Sequence, residues 1–280
     1  MWTREHFKAK PSDIFLITIP KCGTTWLKAL VFSIVNRTRF DFSSHPLLTH
    51  NPHDLVPFLE HKLFRSPPIG DPEILPSPRI LASHIPYNLL PQSIIEDSLG
   101  SCKIVHICRD PKDVFVSLWH FANSFRHDGF SPMSLEEGFD LFCKGISFFG
   151  PIWDNTLGYW KASLESPNKV LFLKYEDMKE NTFFHVKKLA NFLDRPFTHE
   201  EEENGVIQEI IKLCSFETIS NLEVNKTGIH RNQIKNSVFF RKGVTGDWKN
   251  YLTLEMADQI DSIVEQRLKG TGLTFKEPSY

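Results

Sequence analysis

The stretch from Ile14 to Val35 limits the fold more than any other. The apolar run IFLITI at residues 14–19 passes directly into Pro20-Lys21-Cys22-Gly23-Thr24-Thr25-Trp26, and an apolar segment follows to Val35. A short apolar run bounded by a proline reads as a buried strand, and residues 25–35 read as a helix. A strand that enters a helix through a tight turn opens a parallel α/β unit. It also leaves backbone N–H groups and the positive end of the helix dipole facing the turn, where an anion can sit. Gly23 lets the backbone approach closely. Lys21 adds a full charge, Thr24 and Thr25 add hydroxyl donors, and Trp26 offers a flat face to a base. The turn is not the triphosphate loop G-x-x-x-x-G-K-[ST], because its lysine precedes the glycine and no magnesium-binding aspartate partner is evident. For the Gly-Thr-Thr alone, a capped helix with a surface lysine is the plain alternative.

Three more apolar runs, at 79–83, 103–108 and 170–174, read as buried strands. A helix is expected from Asp113 to Phe121, capped by Asp113 or Asp110. Val186, Leu189, Ala190 and Leu193 repeat at helical spacing, as do Ala257, Ile260, Val264 and Leu268. Strands alternating with helices predict one α/β domain over residues 1–280, a central parallel sheet flanked by helices. The proline-rich stretch 67–78 predicts an irregular connection. Residues 225–237, polar and patternless, predict an ordered loop able to act as a lid. The acidic run 200–203 reads as a solvated helix start.

Charge narrows the function. Lys plus Arg is 32 against 34 Asp plus Glu, a formal net charge of −2. An anion site must then be local, and the balance argues against nucleic-acid binding, which needs many phosphate contacts. The five cysteines are an odd set without metal-like spacing, which points to free thiols in a reducing compartment. The polar N-terminus carries no secretory signal and no apolar run is long enough to span a bilayer, so a cytoplasmic location without membrane contact is expected.

Lys21, His84, Arg109 and Tyr175 each fall just after one of the four expected strands. Ligands of open parallel sheets bind at the carboxyl ends of the strands, so this alignment predicts one shared site. His84 ends the second strand in Ala-Ser-His-Ile-Pro, and imidazole suits a general base because it titrates near neutral pH. His53, His106 and His120 lack such a context and read as structural. Arg109 is as readily read as a surface partner of Asp113.

The octet Ile19 to Trp26 resembles the signature Y-P-K-[SA]-G-T-T-W of the soluble sulfotransferases, and the resemblance runs along nearly the whole chain. Arg109 and Ser117 match that family's 3′-phosphate segment. Arg241-Lys242-Gly243-x-x-Gly246-Asp247-Trp248 is similar to its second phosphate signature, R-K-G-x-x-G-D-W. Tyr175 matches a nucleotide-contacting tyrosine, Phe216 an aromatic that stacks on adenine opposite Trp26, and His84 the histidine base of [KT]-T-H-[LI]-P. The resemblance implies a P-loop-like 5′-phosphosulfate site and transfer of a sulfonyl group from 3′-phosphoadenosine 5′-phosphosulfate (PAPS) to a hydroxyl of a small apolar acceptor, without a metal. His84 would take the proton while Lys21 meets the charge on the leaving oxygen. Cys22, Gly23, Thr24, Thr25, Trp26 and the 241–243 loop would hold the nucleotide.

The sequence also departs from that pattern. Cys22 stands where serine or alanine is usual, leaving the phosphate to the backbone N–H there and inviting oxidation. Asp110 replaces an asparagine, Ala82 a second lysine of the animal enzymes, and Cys214 a nucleotide-contacting threonine. The first strand lies closer to the start than in family members, so part of the acceptor wall is expected to be missing. His45-Pro-Leu-Leu and Asn51-Pro-His-Asp-Leu-Val-Pro57 resemble the plant branch, which implies flavonoid, steroid, hydroxyjasmonate or desulfoglucosinolate acceptors. Residues 7–26 and 51–63 lean towards the hydroxyjasmonate type. Phe58, Tyr87, Phe121, Phe125, Phe148, Phe149 and Trp153 are pocket candidates that could equally be core. Lys249-x-x-x-Thr253-Leu254-x-x-x-Asp258 loosely resembles the family's dimerisation signature and implies a homodimer. The competing readings are a magnesium-dependent kinase, a non-catalytic family member that binds adenosine 3′,5′-bisphosphate (PAP), and a purely structural protein.

Overall fold

The computed structural model describes residues 7–60, 75–96, 102–125, 131–230 and 234–275. Four parallel strands form the central sheet: β1 (Ile14–Thr18), β2 (Ile80–Ser83), β3 (Lys103–Cys108) and β4 (Val170–Lys174), in the order β2-β1-β3-β4. Leu16 pairs with Ala82 on one side and Val105 on the other, and Val105 pairs with Leu171. Alternate residues of each strand enter opposite layers, as the pleat requires. Ile14, Leu16, Val105 and Leu171 pack with Leu27, Leu30 and Ile34 of α1 (Thr24–Asn36). Phe15, Ile17 and Ile104 pack with Tyr159 and Ala162 on the other face. Apolar strand positions on both faces therefore find a partner, each fully buried side chain contributing about 1.5–3 kcal/mol.

The expected strands at 103–108 and 170–174 coincide with β3 and β4. The second begins one residue later than expected, at Ile80, although Arg79 O still accepts from Ile14 N at 2.9 Å and the Arg79 side chain is bound just before β1. Its Nη2 lies 2.5 Å from Asp13 Oδ2, with both side chains buried. Asp13 immediately precedes β1, so this ion pair ties the entrances of neighbouring strands. The helix expected from Asp113 starts earlier: α2 spans Pro111–Asn123, with the Asp110 carboxylate accepting from Lys112 N at 2.8 Å. A proline at the first helical position suits it, since no N–H is needed there.

Two helices without a clean expectation follow. α3 (Leu135–Cys143) opens on a capping box between Ser134 and Glu137, and α4 (Ile152–Glu165) covers the β3–β4 region. Beyond β4 come α5 (Tyr175–Glu180), α6 (Thr182–Phe192), α7 (Val206–Leu213), α8 (Phe216–Asn221) and α9 (Leu254–Leu268). The acidic run forms a capped turn at His199–Glu203. The described part of 225–237 is more ordered than a patternless lid. Ile229–His230 pairs antiparallel with Ile234–Lys235, and a helical turn follows at Asn236–Phe239. Of the proline-rich stretch, residues 67–74 lie outside the described residues.

Candidate active site

The four strands end on one edge of the sheet, and a cavity of about 570 Å³ opens there, lined by Lys21, His84, Arg109 and Tyr175 together. Gly23, Thr24, Thr25, Trp26, Ser117, Phe216, Arg241, Lys242 and Gly243 also line it.

Cys22 is the exception among the expected residues. Its side chain is 1% exposed and packs in the core against the α2 side, and its N–H donates to Ile19 O at 3.1 Å. Neither group faces the cavity. Burial pushes the thiol well above its ordinary range, so the expected sensitivity to oxidation is corrected as well. Cys214 does line the cavity, but its Sγ lies 3.4 Å from Ser33 Oγ, and burial pushes its thiol up to about 12.

Lys21 takes φ +72°, which turns the chain between β1 and α1 and carries its ammonium to 4.2 Å from the centre of the Phe121 ring. Burial, reinforced by Arg241 and Arg109, lowers its pKa to about 7. Three cations thus converge with too little negative charge to satisfy them. Arg109 is only 7% exposed and does bond Asp113, at 3.1 Å, so the expected pair forms, but in the interior rather than on the surface. The Nε atoms of Arg109 and Arg241 are buried without a hydrogen-bond partner among the described residues. Buried donors left this way indicate a missing acceptor.

The loop after Phe240 is held by two carboxylates. Asp113 accepts from Gly246 N at 2.8 Å and Trp248 N at 3.0 Å, as well as from Arg109. Asp247 accepts from Arg241 at 2.5 Å and Lys242 at 2.7 Å, and these cations hold its carboxyl down at about 2 against the effect of burial. Gly243, at φ +67°, lies flat on Phe216: a Cβ there would sit 2.4 Å from that ring. Trp26 stands edge-on to Tyr175, ring centres 5.5 Å apart. This part of the cavity combines flat aromatic faces with cations.

His84 carries the opposite end. Its Nδ1 lies 2.6 Å from Thr18 O and 3.3 Å from Thr18 Oγ1. A carbonyl can only accept, so the ring proton sits on Nδ1, and Nε2 is the basic nitrogen. Glu60 Oε1 accepts from His84 N at 2.5 Å and from Ser83 Oγ at 3.0 Å. Phe58 (4.8 Å between ring centres) and Phe149 (5.2 Å) flank the imidazole. Phe121, Phe125 and Phe148 line the cavity too, whereas Tyr87 and Trp153 are not among its lining residues and pack on Tyr159 and Phe142.

Of the histidines read as structural, His106 is stacked in the core and His120 lies outside the cavity lining, but His53 lines it. Sequence reasoning missed His53, Glu60 and His230 there. The sign available was the 51–60 segment itself, which joins the sheet edge through Ala82 N donating to Pro57 O at 2.9 Å and so brings Phe58 and Glu60 beside His84.

The comparisons agree with this geometry. The sulfotransferase domain family model matches residues 11–272. Flavonol 3-sulfotransferase of Flaveria bidentis is 50% identical over 280 residues, covering 99% of this chain and 88% of the relative. A solved Arabidopsis thaliana sulphotransferase superposes with a TM-score of 0.75 at 42% identity, covering 98% of this chain and 82% of that one. A mouse sulfotransferase complexed with PAP gives a TM-score of 0.71 at 24% identity over 97% and 90% of the two chains, a likeness of fold alone. A family match along almost the whole chain, and half-identity to a plant enzyme, settle the family: the chain belongs to the plant-type sulfotransferases and is a sulfotransferase enzyme.

Proposed function

We propose that this enzyme transfers the sulfonyl group of PAPS to a hydroxyl of a small apolar acceptor, in the cytoplasm, with residues 1–280 acting as one catalytic domain. The supporting observation is the pair of buried Nε atoms of Arg109 and Arg241 beside Lys21, which lack a hydrogen-bond partner among the described residues even though each guanidinium also bonds a carboxylate. Trp26 and Phe216, which line the same cavity, suit an adenine. The PAP held by the mouse neighbour is in keeping with such a donor.

On this reading Arg109, Ser117 and the Arg241-Lys242-Gly243 loop hold the 3′-phosphate, and Lys21 with the Gly23-Thr24-Thr25 turn holds the phosphosulfate. The acceptor oxygen attacks sulfur in line and its proton passes to His84 Nε2. The bond from sulfur to the bridging oxygen breaks, and its electron pair leaves with PAP, where Lys21 meets the new charge. Positioning and charge stabilisation carry such a transfer. The phenylalanine-lined end favours a flat, largely apolar acceptor of the flavonoid, steroid, hydroxyjasmonate or desulfoglucosinolate kind. Free cysteines, four of the five buried, fit a reducing compartment.

The test is incubation with sulfur-labelled PAPS and a panel of those four acceptor classes, with chelator present. Labelled product is expected from at least one class. His84→Ala is expected to lower kcat by about 10²–10⁴ while PAP affinity by calorimetry stays within about twofold. Absence of PAP binding by the folded wild-type protein would refute the reading, and full turnover by the variant would remove the base.

A further inference from the structure

His230 is a buried histidine that lines the cavity and that the proposed reaction leaves unused. Its Nδ1 lies 3.0 Å from Asp54 Oδ1. A carboxylate can only accept, so Nδ1 carries a proton and donates it, and Nε2 is the nitrogen left for a ligand. His84 is arranged in the same way, with Thr18 O on its Nδ1. The third described histidine of the lining, His53, has both ring nitrogens engaged, by Lys28 Nζ at 2.9 Å and Thr25 Oγ1 at 3.1 Å. His84 and His230 are thus the imidazoles that present Nε2, and only His84 has a task in the transfer.

The placement of His230 is fixed from several sides. Asp54 lies in the helical turn Pro52–Leu55, and His230 in the two-residue strand Ile229–His230. The two segments are tied a second time by Asn51 Nδ2, which donates to Asn225 Oδ1 at 2.8 Å with both residues buried. Asn225 Nδ2 donates to Ile219 O at 2.8 Å, and Asn236 Nδ2 to Val224 O at 2.7 Å. Gly228 closes so tightly here that a Cβ would sit 2.1 Å from Val224 O. The backbone that carries His230 is therefore held before any acceptor arrives, and little ordering remains for binding.

A row of rings connects the two histidines. His84 contacts Phe58 (4.8 Å between ring centres), Phe58 contacts His53 (5.5 Å) and His53 contacts His230 (5.9 Å). Phe239 packs on both His53 and His230, at 4.3 and 5.7 Å. A flat acceptor laid along this row, its reacting hydroxyl at His84, brings its far edge towards His230. A hydroxyl on that edge both donates and accepts, so it can bond Nε2 in either protonation state of the imidazole. A hydrogen or methyl in its place leaves the nitrogen desolvated without a partner, which costs more than the bond contributes.

We infer that His230, oriented by Asp54, is a specificity-determining residue that bonds a second hydroxyl of the acceptor, so that the enzyme selects flat acceptors with hydroxyls at opposite edges. This rests on the sulfonyl-transfer reading above and narrows its acceptor: dihydroxylated flavonoids and steroid diols are preferred to monohydroxylated members of the same skeleton.

The test compares a steroid diol and a dihydroxyflavone with their analogues lacking the second hydroxyl, in the wild type, His230→Phe, His230→Leu and His230→Gln. Melting temperature and PAP affinity are measured first. His230 contacts Asp54, His53 and Phe239, none of them proposed to hold the donor. PAP affinity is therefore expected within about twofold in all three variants. The wild type should prefer the dihydroxy member of at least one pair by about 10–100-fold in kcat/KM. His230→Phe keeps the aromatic wall but removes the nitrogen, and the preference should fall to about threefold or less through loss on the dihydroxy acceptor. His230→Gln, whose amide reaches where Nε2 stands, should retain part of it. A residue that only held the fold would lower kcat/KM for both members together and leave the ratio as it was. His230→Leu gives the same reading should the larger ring not fold. A wild type without preference, turnover confined to monohydroxylated acceptors, a ratio unchanged in the variants, or a tenfold loss of PAP affinity would each overturn the inference. Failure of the wild type to bind PAP, or to label any acceptor class, would instead overturn the reading beneath it.

Discussion

A lysine in a nearly dry pocket beside two arginines is poorly disposed to keep its proton, and Lys21 is so placed. With its pKa lowered to about 7, roughly half the free protein carries it neutral at pH 7. A bound anion adds the negative charge the pocket lacks and restores the ammonium. PAP binding near pH 7.5 should therefore take up protons, approaching one per site. The sign is fixed: as pH rises above about 7, free Lys21 is neutral, binding must recruit a proton, and affinity falls by up to tenfold per pH unit until the bound-state pKa is reached. Calorimetry in two buffers of different ionisation enthalpy measures the uptake. Lys21→Met should bind PAP more weakly and lose most of the uptake. Uptake unchanged in that variant would assign the proton to another group.

At the scale of elements, the loop after Phe240 depends on a contact that only glycine permits. Gly243 and Gly270 have similar positive φ, +67° and +75°, but a Cβ on Gly243 would sit 2.4 Å from Phe216 whereas one on Gly270 meets nothing within 4 Å. Alanine at either carries backbone strain of about 1–2 kcal/mol. Only Gly243→Ala also displaces the aromatic proposed for adenine, so it should raise the PAP Kd about tenfold or more while Gly270→Ala leaves it unchanged; equal effects would remove Phe216 from the site. This loop also marks what the sequence could tell. Its glycines and cations are local, as is the entry of each strand into the residue that follows it, and these marked the strand-end residues and the Arg241-Lys242-Gly243 part of the cavity lining. Asp113 was legible as a helix-start residue and a partner of Arg109, but its bonds to Gly246 and Trp248 were not, because they join segments more than a hundred residues apart. His53 was misjudged for the same reason: its partners Thr25 and Lys28 lie on α1. α3 was missed although the Ser134-x-x-Glu137 capping box marks its start in the sequence, and Cys22 was misplaced because a turn residue's side can be settled only by what packs behind it.

The whole molecule has a weak point against acid in its core. His106, on β3, lies flat against Tyr159 (4.4 Å between ring centres, 10° between planes) and faces Phe172 at 5.2 Å, fully buried, with neither ring nitrogen hydrogen-bonded among the described residues. Burial lowers its pKa from 6.5 to about 3. The folded state therefore keeps His106 neutral, while the unfolded chain binds a proton below pH 6.5. Its contribution to stability is complete above 6.5 and is lost as pH falls towards 3, at up to about 1.4 kcal/mol per pH unit. By pH 5 this is about 2 kcal/mol, a sizeable share of a marginal stability. Phenylalanine fits the same stack and leaves no buried nitrogen unsatisfied. His106→Phe should match or exceed the wild type at pH 7.5 and lose about 2 kcal/mol less on moving to pH 5, read from urea unfolding at both values. Because Arg109 directly follows β3, PAP binding by the wild type should fail with the same acid transition rather than before it. Parallel stability profiles for the two proteins would show that the acid-sensitive proton binds elsewhere.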